Sequence, residues 1–109
     1  MRNSNSFVDE LIGGIDRSLK TLTGGYSATR PSPAASQQEP ELSDQERKHV
    51  AGLMRVNHAG EICAQALYEG QALTAKSASA KASLLHAAGE EQDHLSWCRQ
   101  RLEQLDARP

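Results

Sequence analysis

Aromatic residues are nearly absent: the 109-residue chain holds one Trp, two Tyr and one Phe. Any core must therefore be built from Leu, Ile, Val and Ala, which suits helices packed closely together. Cysteine is equally scarce. Cys63 and Cys98 fall on different predicted helices and lack Cys-x-x-Cys spacing, so they are read as reduced, core-lining thiols rather than as metal ligands or a redox pair. No apolar run approaches the roughly 18 residues needed to span a bilayer. No apolar N-terminal region marks a secretion signal, and Arg2 is followed too closely by Asp9 and Glu10 for a transit peptide. With 12 basic and 14 acidic residues the net charge is −2, and no Lys/Arg cluster points to nucleic acid as a partner.

What the chain does have is helical periodicity. Residues 6–23 place Phe7, Leu11, Ile15, Leu19 and Leu22 on one stripe, with Asp9, Glu10, Asp16, Arg17 and Lys20 largely off it. Gly13-Gly14 weakens this amphipathic helix by about 1 kcal/mol per glycine relative to alanine, and Gly24-Gly25 ends it. Its polar face carries both signs, which favours docking on the rest of the protein over lying on a membrane surface. Residues 24–42, with Gly24, Gly25, Pro31, Pro33 and Pro40 among Ser, Ala and Gln, form a flexible linker that leaves the first helix free. Ser43-Asp44-Gln45-Glu46 is a capping box, so a second helix starts there and runs to about Lys76. Gly52, Gly60 and Gly70 weaken it, while the small residues at 59, 60, 64 and 66 admit a close neighbour. A turn over Lys76 to Ala80 leads to a third helix from about Ala80 to Asp106. The organisation is thus an N-terminal helix in 1–23, a linker in 24–42 and a helical hairpin in 43–109.

Both hairpin helices carry a seam with steps of four and three. In the third helix it is Leu84, Ala88, Glu91, Leu95, Cys98, Leu102 and Leu105; in the second it is Val50, Met54, Asn57, Glu61, Ala64 and Tyr68. A carboxylate falls at the centre of each. A lone buried carboxylate costs several kcal/mol against a total stability of roughly 5–15 kcal/mol, so two of them imply a cation. His94 follows Glu91 by one turn on the same helix face, the Glu-x-x-His element with which helical bundles present ligands to paired metal ions. Antiparallel helices rise equally from their shared turn, so with a turn centred near residue 78 Glu61 and His94 come to similar heights, Glu91 lies about one helical turn closer to the turn, and the three can form one cluster. Glu-x-x-His alone also occurs on solvated helix faces, and Glu90, Gln92 and Asp93 are compatible with such a face. His58, one turn before Glu61, is a candidate to orient a ligand, although a structural hydrogen bond is the simpler role. His49 and His86 are peripheral. Tyr68, two turns beyond Glu61, either lines a pocket or packs in the core, and Trp97, one turn from His94, either shields the site or touches an apolar substrate.

The stretch Leu53-Met54-Arg55-Val56-Asn57-His58-Ala59-Gly60-Glu61-Ile62-Cys63-Ala64-Gln65-Ala66-Leu67-Tyr68-Glu69-Gly70-Gln71-Ala72, followed by Glu91-Gln92-Asp93-His94-Leu95, closely resembles the demethoxyubiquinone hydroxylase family of ubiquinone biosynthesis. The N-terminal helix and Arg30-Pro31-Ser32-Pro33 resemble its bacterial members as well. The resemblance implies an all-α fold in which the hairpin is half of a ferritin-like four-helix bundle. It implies a di-iron monooxygenase that uses O2 and reducing equivalents to hydroxylate a polyprenylated methoxy-benzoquinol. By position, Glu61 corresponds to the first iron-ligating carboxylate, Glu91 to the bridging carboxylate and His94 to an imidazole ligand. A peripheral place on the cytoplasmic side of the bacterial cell membrane follows from the same likeness, with other ubiquinone-biosynthesis proteins as partners. The family continues with a second helical pair carrying another Glu and a second Glu-x-x-His. The chain is therefore expected to be a truncated gene product or a fragment, its centre completed by that second half or by a two-fold homodimer. Two other readings of the residues stay open: a non-catalytic hairpin for assembly, its seam glutamates paired with a partner's Lys or Arg, and a ferritin-like iron-binding protein.

Overall fold

The structure, a computed structural model, describes residues 6–109; residues 1–5, part of the expected N-terminal segment, lie outside the described residues. Three helices follow in order: α1 (Phe7–Thr23), α2 (Asp44–Thr74) and α3 (Ala78–Gln104). Each begins at a serine. The side chains of Ser6, Ser43 and Ser77 accept from the amide three residues on, and at Ser6 and Ser43 the acidic residue there, Asp9 or Glu46, returns the bond to the serine amide. The turn between α2 and α3 is only residues 75–77, because the Ser77 cap starts α3 two residues earlier than the composition suggests. At its far end α3 stops where Asp106 turns left-handed, with φ 56°, and the Ala107 amide closes on the Leu102 carbonyl at 2.9 Å.

The antiparallel α2–α3 pair buries on α3 the face predicted for it: Ala88, Leu95, Cys98, Leu102 and Leu105, with half-buried Glu91 among them. On α2 the prediction is off by one position. The buried line is Ala51, His58, Gln65, Glu69 and Ala72, whereas Val50, Met54, Glu61, Ala64 and Tyr68 are half-buried and Asn57 is exposed. The cause is a second neighbour, since α2 packs against α1 and the linker as well as α3, and its buried arc turns toward them. The apolar core sits at the open end of the hairpin, where Ala51, Leu102 and Leu105 gather Leu42, Val50, Met54 and Ala107. Each fully buried Leu there stabilises by about 1.5–3 kcal/mol. The middle of the hairpin is polar.

α1 docks, but by a neighbouring face rather than by the expected apolar stripe. Arg17 Nε donates to both Glu69 carboxylate oxygens, at 2.9 and 2.8 Å, Lys81 pairs with Glu10 at 2.6 Å, and Gly14 is buried beside Leu73. Phe7, Leu11, Ile15, Leu19 and Leu22 all remain exposed, as do Val8 and Ile12. The physical reason is Glu69: a buried carboxylate on α2 needs a cation more than α1's apolar stripe needs cover.

Nor does the segment from 24 to 42 leave α1 free. Tyr26 is buried, its hydroxyl 2.7 Å from His58 Nε2 and the Arg99 guanidinium 5.9 Å from its ring centroid. Arg99 also donates to the Gly24 carbonyl at 2.7 Å, and Arg101 holds both Glu39 oxygens at 2.7 Å. Its anchors are polar and far away in sequence, so a count of apolar residues could not reveal them.

Candidate metal centre

Glu61 stands in the middle of α2, Glu91 and His94 in the middle of α3. With the turn at 75–77 rather than centred near 78, Glu61 lies level with Glu91 instead of with His94, which stands one helical turn beyond. One donor atom from each of the three lies within 4.8 Å of the others. His94 Nδ1 is 3.3 Å from Glu91 Oε2 and 3.5 Å from Glu61 Oε2. Side-chain exposure is 15% for Glu91, 27% for Glu61 and 38% for His94, so the cluster is half-buried and opens on one side of the hairpin.

Two carboxylates and an imidazole are a fitting donor set for a divalent transition metal. Donors about 2.1 Å from one ion stand roughly 3 Å apart, which small side-chain rotations reach from the observed spacing. A single Nδ1 proton cannot serve two carboxylates at once, and among the described residues no Lys or Arg pairs with Glu61 or Glu91. One turn beyond Glu61, the buried carbonyl oxygen of Gln65 also has no hydrogen-bond partner among the described residues. The centre of the hairpin is therefore short of positive charge and of donors, as a site that takes up a cation should be.

The other candidates divide. His58 gives its Nε2 to Tyr26, and burial, then the Arg99 charge, holds its pKa below the ordinary value; it is a structural hydrogen bond rather than a support for the cluster. Tyr68 is half-buried and outside the cluster. Trp97 lies against His94, ring centroids 5.4 Å apart and planes inclined at 43°. His49 and His86 are exposed, the latter 3.3 Å from Glu90. Burial pushes the Cys98 thiol up, in keeping with a core position. Cys63 is exposed, a correction to its reading as a core thiol that follows from the rotated face of α2.

Sequence reasoning missed Asp93. It looked like part of a solvated acidic run but is 2% exposed, accepting from the Thr29 amide at 2.7 Å, the Thr29 hydroxyl at 3.1 Å and Arg30 Nε at 2.7 Å. Burial by itself would raise its pKa; the Thr29 amide, the Arg30 guanidinium and the Thr29 hydroxyl outweigh that and hold the carboxyl below its usual value. No local signal could have found it, because both partners lie more than sixty residues away. Between the linker and the hairpin runs an open groove of about 1060 Å³, lined by Glu61, His94 and Trp97 together with Met54, Asn57 and Arg101.

Fold and cluster together define a class: a helical hairpin that presents two carboxylates and one imidazole where a metal ion could be held. A family model described as ubiquinone biosynthesis protein COQ7 matches residues 48–109, and the chain belongs to that family. Its relatives include proteins named 3-demethoxyubiquinol 3-hydroxylase. That of Bordetella petrii is 55% identical over 94% of this chain and 46% of its own length. For Burkholderia cenocepacia the values are 57%, 94% and 50%, and for Legionella pneumophila 54%, 100% and 52%. The chain spans about half the length of these relatives. No solved structure matches it.

Proposed function

We propose that the chain supplies half of the ligands of a di-iron monooxygenase that hydroxylates a polyprenylated methoxy-benzoquinol in ubiquinone biosynthesis. The observation that carries this reading is the meeting of Glu61, Glu91 and His94 in a chain of the COQ7 family. These three residues would hold iron, with the remaining ligands coming from a second helical pair or a second copy of the chain. Bound iron supplies the electrons for cleaving O2, which no side chain provides. The two carboxylates offset the cationic charge, and His94 must give up any Nδ1 proton to bind, so uptake of the ion is coupled to proton release. Trp97 and Met54 give the groove beside the cluster an apolar wall against which a ring could lie. The exposed stripe of α1 supports a peripheral place on a membrane surface, where a polyprenyl substrate resides; the cytoplasmic side is proposed from the family likeness. Other proteins of ubiquinone biosynthesis are proposed as partners.

The test is iron content. Purified chain incubated anaerobically with Fe(II) and passed through a desalting column is expected to retain iron, and Glu91→Ala and His94→Ala are each expected to abolish retention. Wild-type chain that holds no iron in either oxidation state would favour a hairpin used only for assembly. Iron uptake with no quinol hydroxylation, after the second half is supplied, would favour storage.

A further inference from the structure

The segment between α1 and α2 wraps around the side of α3 that faces away from α2. Tyr26 meets Arg99, Thr29 and Arg30 meet Asp93, the Arg30 carbonyl meets Trp97, and Glu39 meets Arg101. These anchors step around α3 from the face shared with His58 to the face carrying His94. They explain why Asp93 and Ser96 are buried although neither belongs to the seam against α2.

Arg30 is the hub of this strap. Its Nε donates to Asp93 Oδ2 at 2.7 Å, its guanidinium carbon stands 5.4 Å from the Trp97 ring centroid, and its carbonyl accepts from Trp97 Nε1 at 3.1 Å. One residue thus grips both the position just before His94 and the position one turn after it. The gripped indole is packed against the imidazole, whose polar partners among the described residues are Glu61 and Glu91. His94 is partly exposed, and the indole beside it limits how far its ring can swing. Without the Arg30 side chain the carbonyl at position 30 remains, but the indole loses its cation and Asp93 becomes a buried carboxylate without its charge partner, a state that drives such a group toward water and loosens the strap that carries that carbonyl.

We infer that Arg30 is a positioning residue for the cluster: by holding Trp97 against His94 and the strap against Asp93, it sets the imidazole toward Glu61 and Glu91 before an ion arrives. The inference rests on the metal-binding reading of those three residues.

Trp97 is the only tryptophan, so its fluorescence reports the strap directly, while the absorption of bound Co2+ reports the cluster. The full chain is compared with Arg30→Ala, Arg30→Lys and Glu91→Ala. Arg30→Ala is expected to make Trp97 more accessible to acrylamide in the metal-free chain. It is also expected to weaken Co2+ binding about tenfold, the lower end for groups that orient metal ligands, and to alter the shape of the ligand-field bands. Helix content should not change, since the Arg30 side chain is 52% exposed and remote from the Leu102 core. Arg30→Lys, which keeps a cation but not the planar fork, should fall between, and it carries the comparison if the alanine variant loses helix. Unchanged Trp97 quenching would overturn the inference, and so would a freed Trp97 accompanied by wild-type Co2+ affinity and spectrum. Wild-type chain that binds no more Co2+ than Glu91→Ala would overturn the metal reading and this inference with it; the quenching comparison, made without metal, separates that failure from a failure of Arg30 to hold the strap.

Discussion

At Gly24 the backbone and a distant arginine compete for one space. The residue caps α1 with φ 77°, and a Cβ built there would stand 2.5 Å from Arg99 Nη1. Gly24→Ala is expected to lower the unfolding free energy by about 1–2 kcal/mol, the cost of a left-handed residue with a side chain, and urea denaturation would measure it. The Gly24-Gly25 pair was legible as a helix end; that Arg99 needs the vacant side was not, because that residue lies on another helix. His58 gives a second expectation. Its folded-state pKa is held below 6.5 by burial and then by Arg99. The unfolded chain therefore takes up a proton near its ordinary pKa while the folded chain does so only at lower pH. The contribution is full above pH 6.5 and is lost as pH falls from there toward the folded-state value. Denaturation midpoints taken from about pH 7.5 down to about 5.5 should fall, and His58→Gln, which has no charge change in this range, should flatten the profile.

Among the elements, the apolar seam of α3 was read correctly, though not its buried Asp93, and the seam of α2 was read one position out of phase. In α3 the large apolar residues sit on a single line facing a single partner, so spacing alone locates the buried face. In α2 the true line contains His58, Gln65 and Glu69, which are buried because Tyr26 and Arg17 come to meet two of them. Apolar periodicity is blind to such residues. It likewise read the α1 stripe as the docking face, when the ion pairs of Glu10 and Arg17 do the docking. The glycines of α2 serve no contact within the described residues: at Gly70, which is exposed, an added Cβ meets nothing within 4 Å. Gly70→Ala is accordingly expected to stabilise the chain by about 0.5–1 kcal/mol, visible as a higher urea midpoint.

The molecule as a whole is a rod of 57 × 23 × 20 Å with most of its exposed apolar residues on two helices, the α1 stripe and Leu53, Val56 and Leu67 of α2. If α1 rests on lipid, the intact chain should co-sediment with vesicles of phosphatidylcholine and phosphatidylglycerol. Replacing Ile15 and Leu19 together by Asp should cut that partition at least about tenfold, since each apolar side chain removed from lipid forfeits about 1.5–3 kcal/mol. Unchanged co-sedimentation would show that the stripe is not the lipid contact. A two-fold homodimer completing the centre should sediment as a dimer that carries iron. An iron-loaded monomer, or a dimer without iron, would count against that arrangement.

Three helices, the Ser43 start of α2 and the grouping of Glu61, Glu91 and His94 were legible in the order of residues alone; the Ser6 and Ser77 starts were not. The grouping was legible because a fixed rise per residue converts spacing along the chain into height and face, and a short turn then sets two helices side by side. Which polar groups lie inside and which apolar stripe lies outside depended on how the helices and the strap pack. Asp93, His58 and Glu69 are buried by virtue of Arg30, Tyr26 and Arg17, partners far off along the chain. Whether a charge can leave water depends on the group that comes to meet it, and that group is brought there by the fold rather than by the neighbouring residues.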